Sequence, residues 1–251
     1  MNESTERALE RAADLIRSSR SMIAFTGAGI SVESGVPPFR GEGGVWGKYD
    51  PSLLEIGRFR RDPAASWQVI REVFYASFGV AQPNAAHRIL AAWEATGRLD
   101  FLVTQNIDGL HRAAGSKRLA EFHGAMDEFV CTVCGARRPA SRALLETLPP
   151  ACPACGGLLK PDFVFFGEGI PCKAYEDSFA AAERADLCLV IGSTGLVYPA
   201  ASVPITVSGR GGRLIEIDPG LTEFTDMADA HIGLGASEAM TRLDALLGGY
   251  T

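Results

Sequence analysis

The sequence predicts an α/β protein: a parallel sheet with helices on both faces, interrupted by one small separate module. Three observations carry that expectation. Short apolar runs at Ser21–Phe25, Phe101–Thr104, Leu187–Ile191 and Leu214–Ile217 are each long enough for one buried strand, and helical or loop stretches separate them. A glycine-rich turn, Thr26-Gly27-Ala28-Gly29-Ile30-Ser31, leaves the first of these runs, at the kind of strand end where open α/β sheets place nucleotides. Residues 128–160 break the rhythm with two Cys-x-x-Cys pairs and Pro149, Pro150 and Pro153.

Helical spacing marks the connections. Ala8, Leu9, Ala12, Leu15 and Ile16 fall on one face of a helix over residues 3–19. Asp62-Pro63 supplies a cap and a first-turn proline for a second helix, and Asn84 caps a third. With 251 residues and 47% hydrophobic content the chain can bury a full core, read as one domain over 1–251 with the 128–160 module set into it. It shows no internal repeat and no low-complexity tract. The formal net charge of −6 speaks against nucleic-acid binding, and the one tight basic cluster, Arg58, Arg60 and Arg61, reads as a solvated face. No run of about 18 apolar residues is present, so no membrane span is expected. An N-terminus holding Glu3, Glu6 and Glu10 is no signal peptide, and the protein is expected to be soluble and cytoplasmic.

The glycine turn is not a dinucleotide fingerprint, because Gly27 and Gly29 are followed by Val32 where the third glycine belongs. It is not a Walker loop either, and Pro38 excludes a long helix directly after it. Close backbone approach to a phosphate accounts for the glycines, and a tight turn without a ligand is the alternative for this stretch alone.

Cys131/Cys134 and Cys152/Cys155 are two thiolate knuckles, each followed by a glycine, Gly135 and Gly156. That spacing in a chain without an export signal points to one structural zinc and not to disulfides. Four thiolates close the tetrahedron, so the metal staples and does not catalyse. Cys188, inside an apolar strand, reads as a buried hydrophobe, and Cys172 stands alone.

A second constellation, Thr104-Gln105-Asn106-Ile107-Asp108-Gly109-Leu110-His111, crowds polar side chains at a strand end. An Asx turn is the bland alternative. A carboxamide beside a carboxylate suits recognition of another carboxamide, such as nicotinamide, which has a donor and an acceptor to satisfy. A third, Glu121-Phe122-His123-Gly124, presents a histidine suited to general-base work near neutral pH, or an ordinary partly buried one. His87 reads as structural, while His111 and His231 have no context that lifts them.

These stretches, with Ser34-Gly35-Val36-Pro37, Phe39-Arg40-Gly41, the run Lys160–Glu168 and the run Gly192–Ser202, occur in one order over nearly the whole chain and resemble the sirtuins, NAD-dependent protein-lysine deacylases. The resemblance implies a Rossmann-like parallel sheet plus a zinc ribbon. It implies an NAD site formed by Gly27, Ala28, Gly29, Ser31, Val36, Phe39 and Arg40, with Asn106, Ile107 and Asp108 around the nicotinamide and Gln105 near its ribose. Gly192, Ser193, Thr194, Asp218 and Ala236 fall at the adenosine end. His123 matches the base, with Asn106 and Asp108 also in the catalytic set. Val164, Phe165, Phe166 and Gly167, with Leu196, Val197 and Tyr198, match two segments between which an acyl-lysine peptide adds as a strand.

Two departures stand out. Pro38 replaces the family's usual Asp or Thr, and Asp218 replaces an asparagine, adding a negative charge to a site for an anionic cofactor. The Tyr-x-x-Arg of relatives that remove succinyl or malonyl groups is missing: Tyr75 is followed by Phe78, and Arg71 is preceded by Gln68. Neutral acyl groups, acetyl or longer aliphatic ones, are therefore expected. An NAD glycohydrolase or ADP-ribosyltransferase using the same pocket, and a non-enzymatic NAD-binding module, are the other function classes.

Overall fold

The first strand of the computed structural model, β1 (Met22–Thr26), is buried at every residue, because both of its faces are covered. The structure describes residues 3–39, 44–76 and 80–249. β1 pairs in parallel with β2 (Phe101–Thr104), which pairs with β3 (Leu119–Glu121). After β3 the chain leaves this sheet for a second, antiparallel one, β4 (Gly124–Cys131), β5 (Arg137–Pro139) and β6 (Leu159–Phe163), in order β5-β4-β6. It then returns to β7 (Leu187–Ile191), β8 (Arg213–Ile217) and β9 (Ala230–Ile232), giving a six-stranded parallel sheet in the order β3-β2-β1-β7-β8-β9. The order reverses between β1 and β7, and the crevice outside the carboxyl ends at such a switch point is where open α/β sheets bind ligands.

Alternation along β1 explains the layers. Met22 and Ala24 face a core shared with α1 (Glu3–Ser18), α4 (Ala85–Ala95) and α8 (Ala236–Leu246), through Leu9, Trp93 and Met240 among others. Ile23 and Phe25 point the other way, to a core built with α6 (Cys172–Arg184) and α7 (Ser202–Gly209) through Ala181, Ala182, Val203 and Val207. A strand covered on both faces shows continuous hydrophobicity and not alternation, as these runs do. The expected caps are present. Asn84 accepts from the His87 N–H and completes a capping box, and Asp62 accepts from the Ala65 N–H ahead of α3 (Pro63–Ile70). The remaining helices are short: α2 (Ile56–Arg61), which carries the exposed Arg60 and Arg61, and α5 (Leu110–Ala114).

The small sheet extends from Gly124 to Phe163, beyond the 128–160 of the cysteine module. It also does not stand alone. Residues from 51–75, a stretch the sequence assigns to the main lobe, share its core: Phe59, Trp67, Ile70, Phe74 and Tyr75 pack with Phe129, Leu159, Phe163 and Phe165. The Trp67 indole N–H donates to the Leu159 carbonyl at 2.9 Å, and the Tyr75 hydroxyl donates to the Met126 carbonyl at 2.7 Å. A three-stranded sheet of this size needs such a cover to bury one face.

After β1 the chain makes a 3-10 helix over Ala28–Ser34, ended by Gly35 at φ +83°, so no long helix follows the glycine turn. Here the loops after β1 and β7 touch through backbone: the Gly27 N–H donates to the Ile191 carbonyl at 3.0 Å and the Gly29 N–H to the Gly192 carbonyl at 2.9 Å. A Cβ on Gly29 would lie 2.5 Å from Gly192 Cα, closer than packing tolerates. Gly29→Ala is expected to destabilise the protein by about 1–3 kcal/mol in urea denaturation, whereas Gly47→Ala, at a position open to solvent, is expected to stay within about 0.5 kcal/mol.

Candidate active site

A cavity of about 690 Å³ opens at the carboxyl edge of the parallel sheet, between it and the small lobe. Of the residues expected to hold a nucleotide, Gly27, Ala28, Gly29, Phe39, Gln105, Asn106, Ile107, Gly192, Ser193, Thr194, Asp218 and Ala236 line it, together with His123. Val36 and Asp108 line an adjoining cavity of about 240 Å³ that shares Ala28, Phe39, Asn106 and Ile107 with the first. Ser31 is buried and reaches the site through hydrogen bonds, and Arg40 lies outside the described residues. Val164, Phe165, Phe166 and Gly167, after β6, and Val197 and Tyr198, in the loop after β7, also line it, while Leu196 is exposed and is not part of the lining.

Each polar group has a structural origin. Asn106 follows β2 and is buried; its Nδ2 donates to the Gly27 carbonyl and to Ser31 Oγ, both at 3.1 Å. The Ser31 hydroxyl donates to Asp108 Oδ2 at 2.7 Å, and the Leu110 N–H donates to Asp108 Oδ1 at 2.9 Å as Gly109, at φ +72°, turns the chain into α5. Burial raises the Asp108 carboxyl above the ordinary range, and those two bonds oppose the rise. Gln105 Nε2 donates to Ser193 Oγ at 2.8 Å and ties the loops after β2 and β7 together across β1.

His123 sits between β3 and β4, with Nδ1 3.0 Å from the Gln105 carbonyl oxygen. A carbonyl only accepts, so Nδ1 carries the proton and Nε2 keeps its lone pair. Burial lowers the ring pKa, opposed by the Gln105 bond, and keeps the imidazole in its basic, neutral form near pH 7. The ring is partly buried. His87 and His111 are both buried below the site, their rings 4.7 Å apart, with His87 in the capping box and His111 Nε2 2.9 Å from Thr26 Oγ1.

Several lining residues carry no local signal in the sequence. Trp46, Leu54 and Phe74 reach the cavity from the small-lobe side, and Trp46 stacks on Phe39 at 5.5 Å. Glu33 lines the cavity beside Ala236, its Oε1 accepting from the Ser237 N–H at the start of α8.

The four paired cysteines converge in the small lobe, with all ligand atoms within 4.8 Å of one another. Sγ separations of 3.5 Å for Cys131–Cys155 and 3.9 Å for Cys134–Cys152 bracket the edge, about 3.8 Å, of a tetrahedron with Zn–S bonds near 2.3 Å. The Val133 and Cys134 N–H groups point at Cys131 Sγ and draw its thiol well below the ordinary range, which favours the thiolate a metal needs. The donor set therefore fits zinc. No cysteine lines the large cavity. Cys188 is buried in β7, and Cys172 is exposed at the first residue of α6.

A nucleotide-type sheet edge, a buried cluster of carboxamide and carboxylate side chains, a neutral histidine and a four-cysteine knuckle define a nucleotide-dependent enzyme with a structural metal site. The Sir2 family model matches residues 27–199. The chain is 40% identical to an NAD-dependent protein deacylase of Aeropyrum pernix over 247 residues, covering 96% of this chain and 98% of that protein. It is 43% identical to an NAD-dependent protein deacylase of Thermococcus kodakarensis, covering 94% of each. Among solved structures, a Sir2 with a p53 peptide and NAD+ superposes with a TM-score of 0.88 at 34% identity, covering 96% of this chain and 98% of that one. The chain belongs to the Sir2 family. Among the described residues no helix is long and apolar enough to cross a membrane.

If the four-cysteine cluster is a structural zinc centre, elemental analysis will find one zinc per chain. Cys152→Ser, or prolonged chelation, is then expected to remove it and destabilise the fold by about 3 kcal/mol or more in thermal unfolding.

Proposed function

We propose that this protein removes acetyl or other neutral acyl groups from protein lysines, consuming NAD and yielding nicotinamide, an O-acyl-ADP-ribose and free lysine. The observation that carries this reading is the position of His123, a neutral base at the junction of the sheet-edge loops and the Val164–Gly167 wall. When bound, NAD supplies an electrophilic ribose carbon bearing nicotinamide as leaving group, and the acyl oxygen of the substrate is the attacking atom.

The chain's own groups divide the remaining work. The backbone of Gly27–Gly29 and Gly192–Thr194 lies open to phosphates, and Asp218 and Ala236 border the adenosine. Asn106, Ile107 and Asp108 enclose the carboxamide and exclude water as the glycosidic bond weakens. Nε2 of His123 accepts the proton of a ribose hydroxyl, so that the oxygen can close on the acyl carbon, while Nδ1–H stays anchored on the Gln105 carbonyl.

The Val164 N–H is committed to the His123 carbonyl at 2.8 Å, and Phe166 uses both backbone groups on Leu54 and Ile56. The Val164 carbonyl and Gly167 N–H have no partner among the described residues. Those two groups are the ones an extended peptide would pair with, reading main chain and not sequence.

Both cavities are walled by apolar side chains, Phe39, Phe74 and Ile107 common to the two, and no lysine or arginine lines either among the described residues. The Tyr75 hydroxyl donates to Met126, and Arg71 reaches the Leu145 carbonyl at 3.4 Å. A succinyl carboxylate would enter this site without a counter-charge, which favours neutral acyl groups.

Mass spectrometry of the purified protein with NAD is expected to show nicotinamide release that depends on an acetyl-lysine peptide. O-acetyl-ADP-ribose should form in step, succinyl-peptide should turn over more slowly, and His123→Ala should be slower by about 100-fold or more. Release without peptide would mark an NAD hydrolase, and no release with any acyl peptide would leave a binding role. Burial and the nearby Glu216 raise the Asp218 carboxyl, the Gly220 N–H opposes the rise, and the group faces an anionic cofactor. Asp218→Asn is therefore expected to tighten NAD binding roughly threefold in calorimetry, about 0.7 kcal/mol. Wild-type affinity should rise as pH falls through the carboxyl pKa, with no such rise in the variant. Equal affinities would refute the electrostatic penalty.

A further inference from the structure

Lys160 is a lysine where β6 would be expected to carry an apolar residue or a solvated one, and it is neither. Its side chain is only 13% exposed, with the ammonium 4.1 Å from the Phe165 ring centroid and 5.9 Å from that of Phe163. All three ammonium donors are used: Nζ lies 2.9 Å from Glu168 Oε2, 2.6 Å from the Phe163 carbonyl and 3.1 Å from the Pro161 carbonyl. Glu168 Oε2 also accepts the Phe165 N–H at 2.8 Å, and the Glu168 N–H donates back to the Phe165 carbonyl at 2.9 Å. The stretch from Phe163 to Glu168 is thus closed on itself around one ion pair. Glu168 lines the large cavity, and the loop so closed contains Val164 and Gly167.

Burying two charges costs desolvation that their attraction repays only with good geometry, and an apolar pair of similar volume often gives equal or greater stability. Stability alone is therefore a poor reason for this pair. What an apolar pair cannot do is satisfy the Phe163 carbonyl and the Phe165 N–H, and without those bonds the backbone between them is free to take other shapes.

We infer that the Lys160–Glu168 ion pair is a positioning device for the acyl-lysine peptide: it holds the Val164 carbonyl and Gly167 N–H at the spacing an added strand requires. The inference rests on the proposed deacylase function. The two residues act through the backbone between them and do not touch the reacting atoms, so their loss should weaken peptide capture and leave NAD binding and the chemical step in place.

The test is steady-state kinetics of Lys160→Met, Lys160→Arg and Glu168→Gln with an acetyl-lysine peptide, alongside calorimetric NAD binding. The expected result is a peptide KM raised about tenfold in Lys160→Met and Glu168→Gln, with kcat and the NAD Kd of Lys160→Met within about twofold of wild type. Lys160→Arg, which keeps the charge and the donors, should return KM to within about threefold of wild type. Should Lys160→Met fail to fold in a thermal melt, Glu168→Gln carries the test. Wild-type KM in the folded variants overturns the inference, and so does a joint fall of kcat and NAD affinity, which marks a structural role. Absence of turnover by the wild-type enzyme overturns the functional reading and the inference together. Wild-type turnover with unchanged variant KM removes the inference alone.

Discussion

The contact between the loops that follow β1 and β7 leaves no space for side chains. Gly27, Gly29 and Gly192 meet backbone to backbone, and a Cβ on any of them would fall within 2.6 Å of a main-chain atom of the facing loop. Because the strands are in parallel register, Thr26 is level with both Thr104 and Ile191, so the polar loops after three adjacent strands start from one line. Gln105 then reaches Ser193, and Asn106 reaches the Gly27 carbonyl. Gln105 and Asn106 are therefore anchored on a junction that a single methyl group would open.

Beneath that edge lies a largely buried polar layer tied together by hydrogen bonds, with His111 Nδ1 left unpartnered among the described residues. Thr26 and Thr104 are bonded at 2.8 Å, His111 bonds to Thr26, and Asn84 donates to the Ile30 carbonyl at 2.6 Å. Buried groups of this kind are costly when unpaired and rigidifying when paired. Burial along the edge acts in two directions at once. It disfavours the charged form of His123, which stays a base, and it disfavours the charged form of Asp108, which relies on Ser31 and Leu110 to hold its carboxylate. Pairs of titratable groups set apart by their surroundings are how acid and base roles are divided within one site.

Much of the scaffold was legible in the chain. The short apolar runs became β1, β2, β7 and β8, Asn84 and Asp62 cap the helices they precede, and the glycine turn lies at the switch point. β9 escaped notice because three residues are too few for periodicity to register. The union of residues 51–75 with the cysteine-bearing sheet was also hidden. Trp67 meets Leu159 across 92 positions, and it meets Phe129 from a likewise distant stretch, with nothing local to either announcing the other. The same distance concealed Trp46, Leu54 and Phe74 as cavity walls.

By itself, the sequence determined the fold class, the four thiolates and the polar residues that stand at the strand ends, because hydrophobic period, ligand spacing and hydrogen-bonding capacity are local properties. Only the tertiary structure decided which nitrogen of His123 holds its proton, how far burial shifts that ring and Asp108, which aromatic side chains close the cavity, and that Lys160 and Glu168 clasp the loop between them. Desolvation, cavity shape and the pairing of distant charges are set by atoms brought together from far apart in the chain, and no window of sequence contains them.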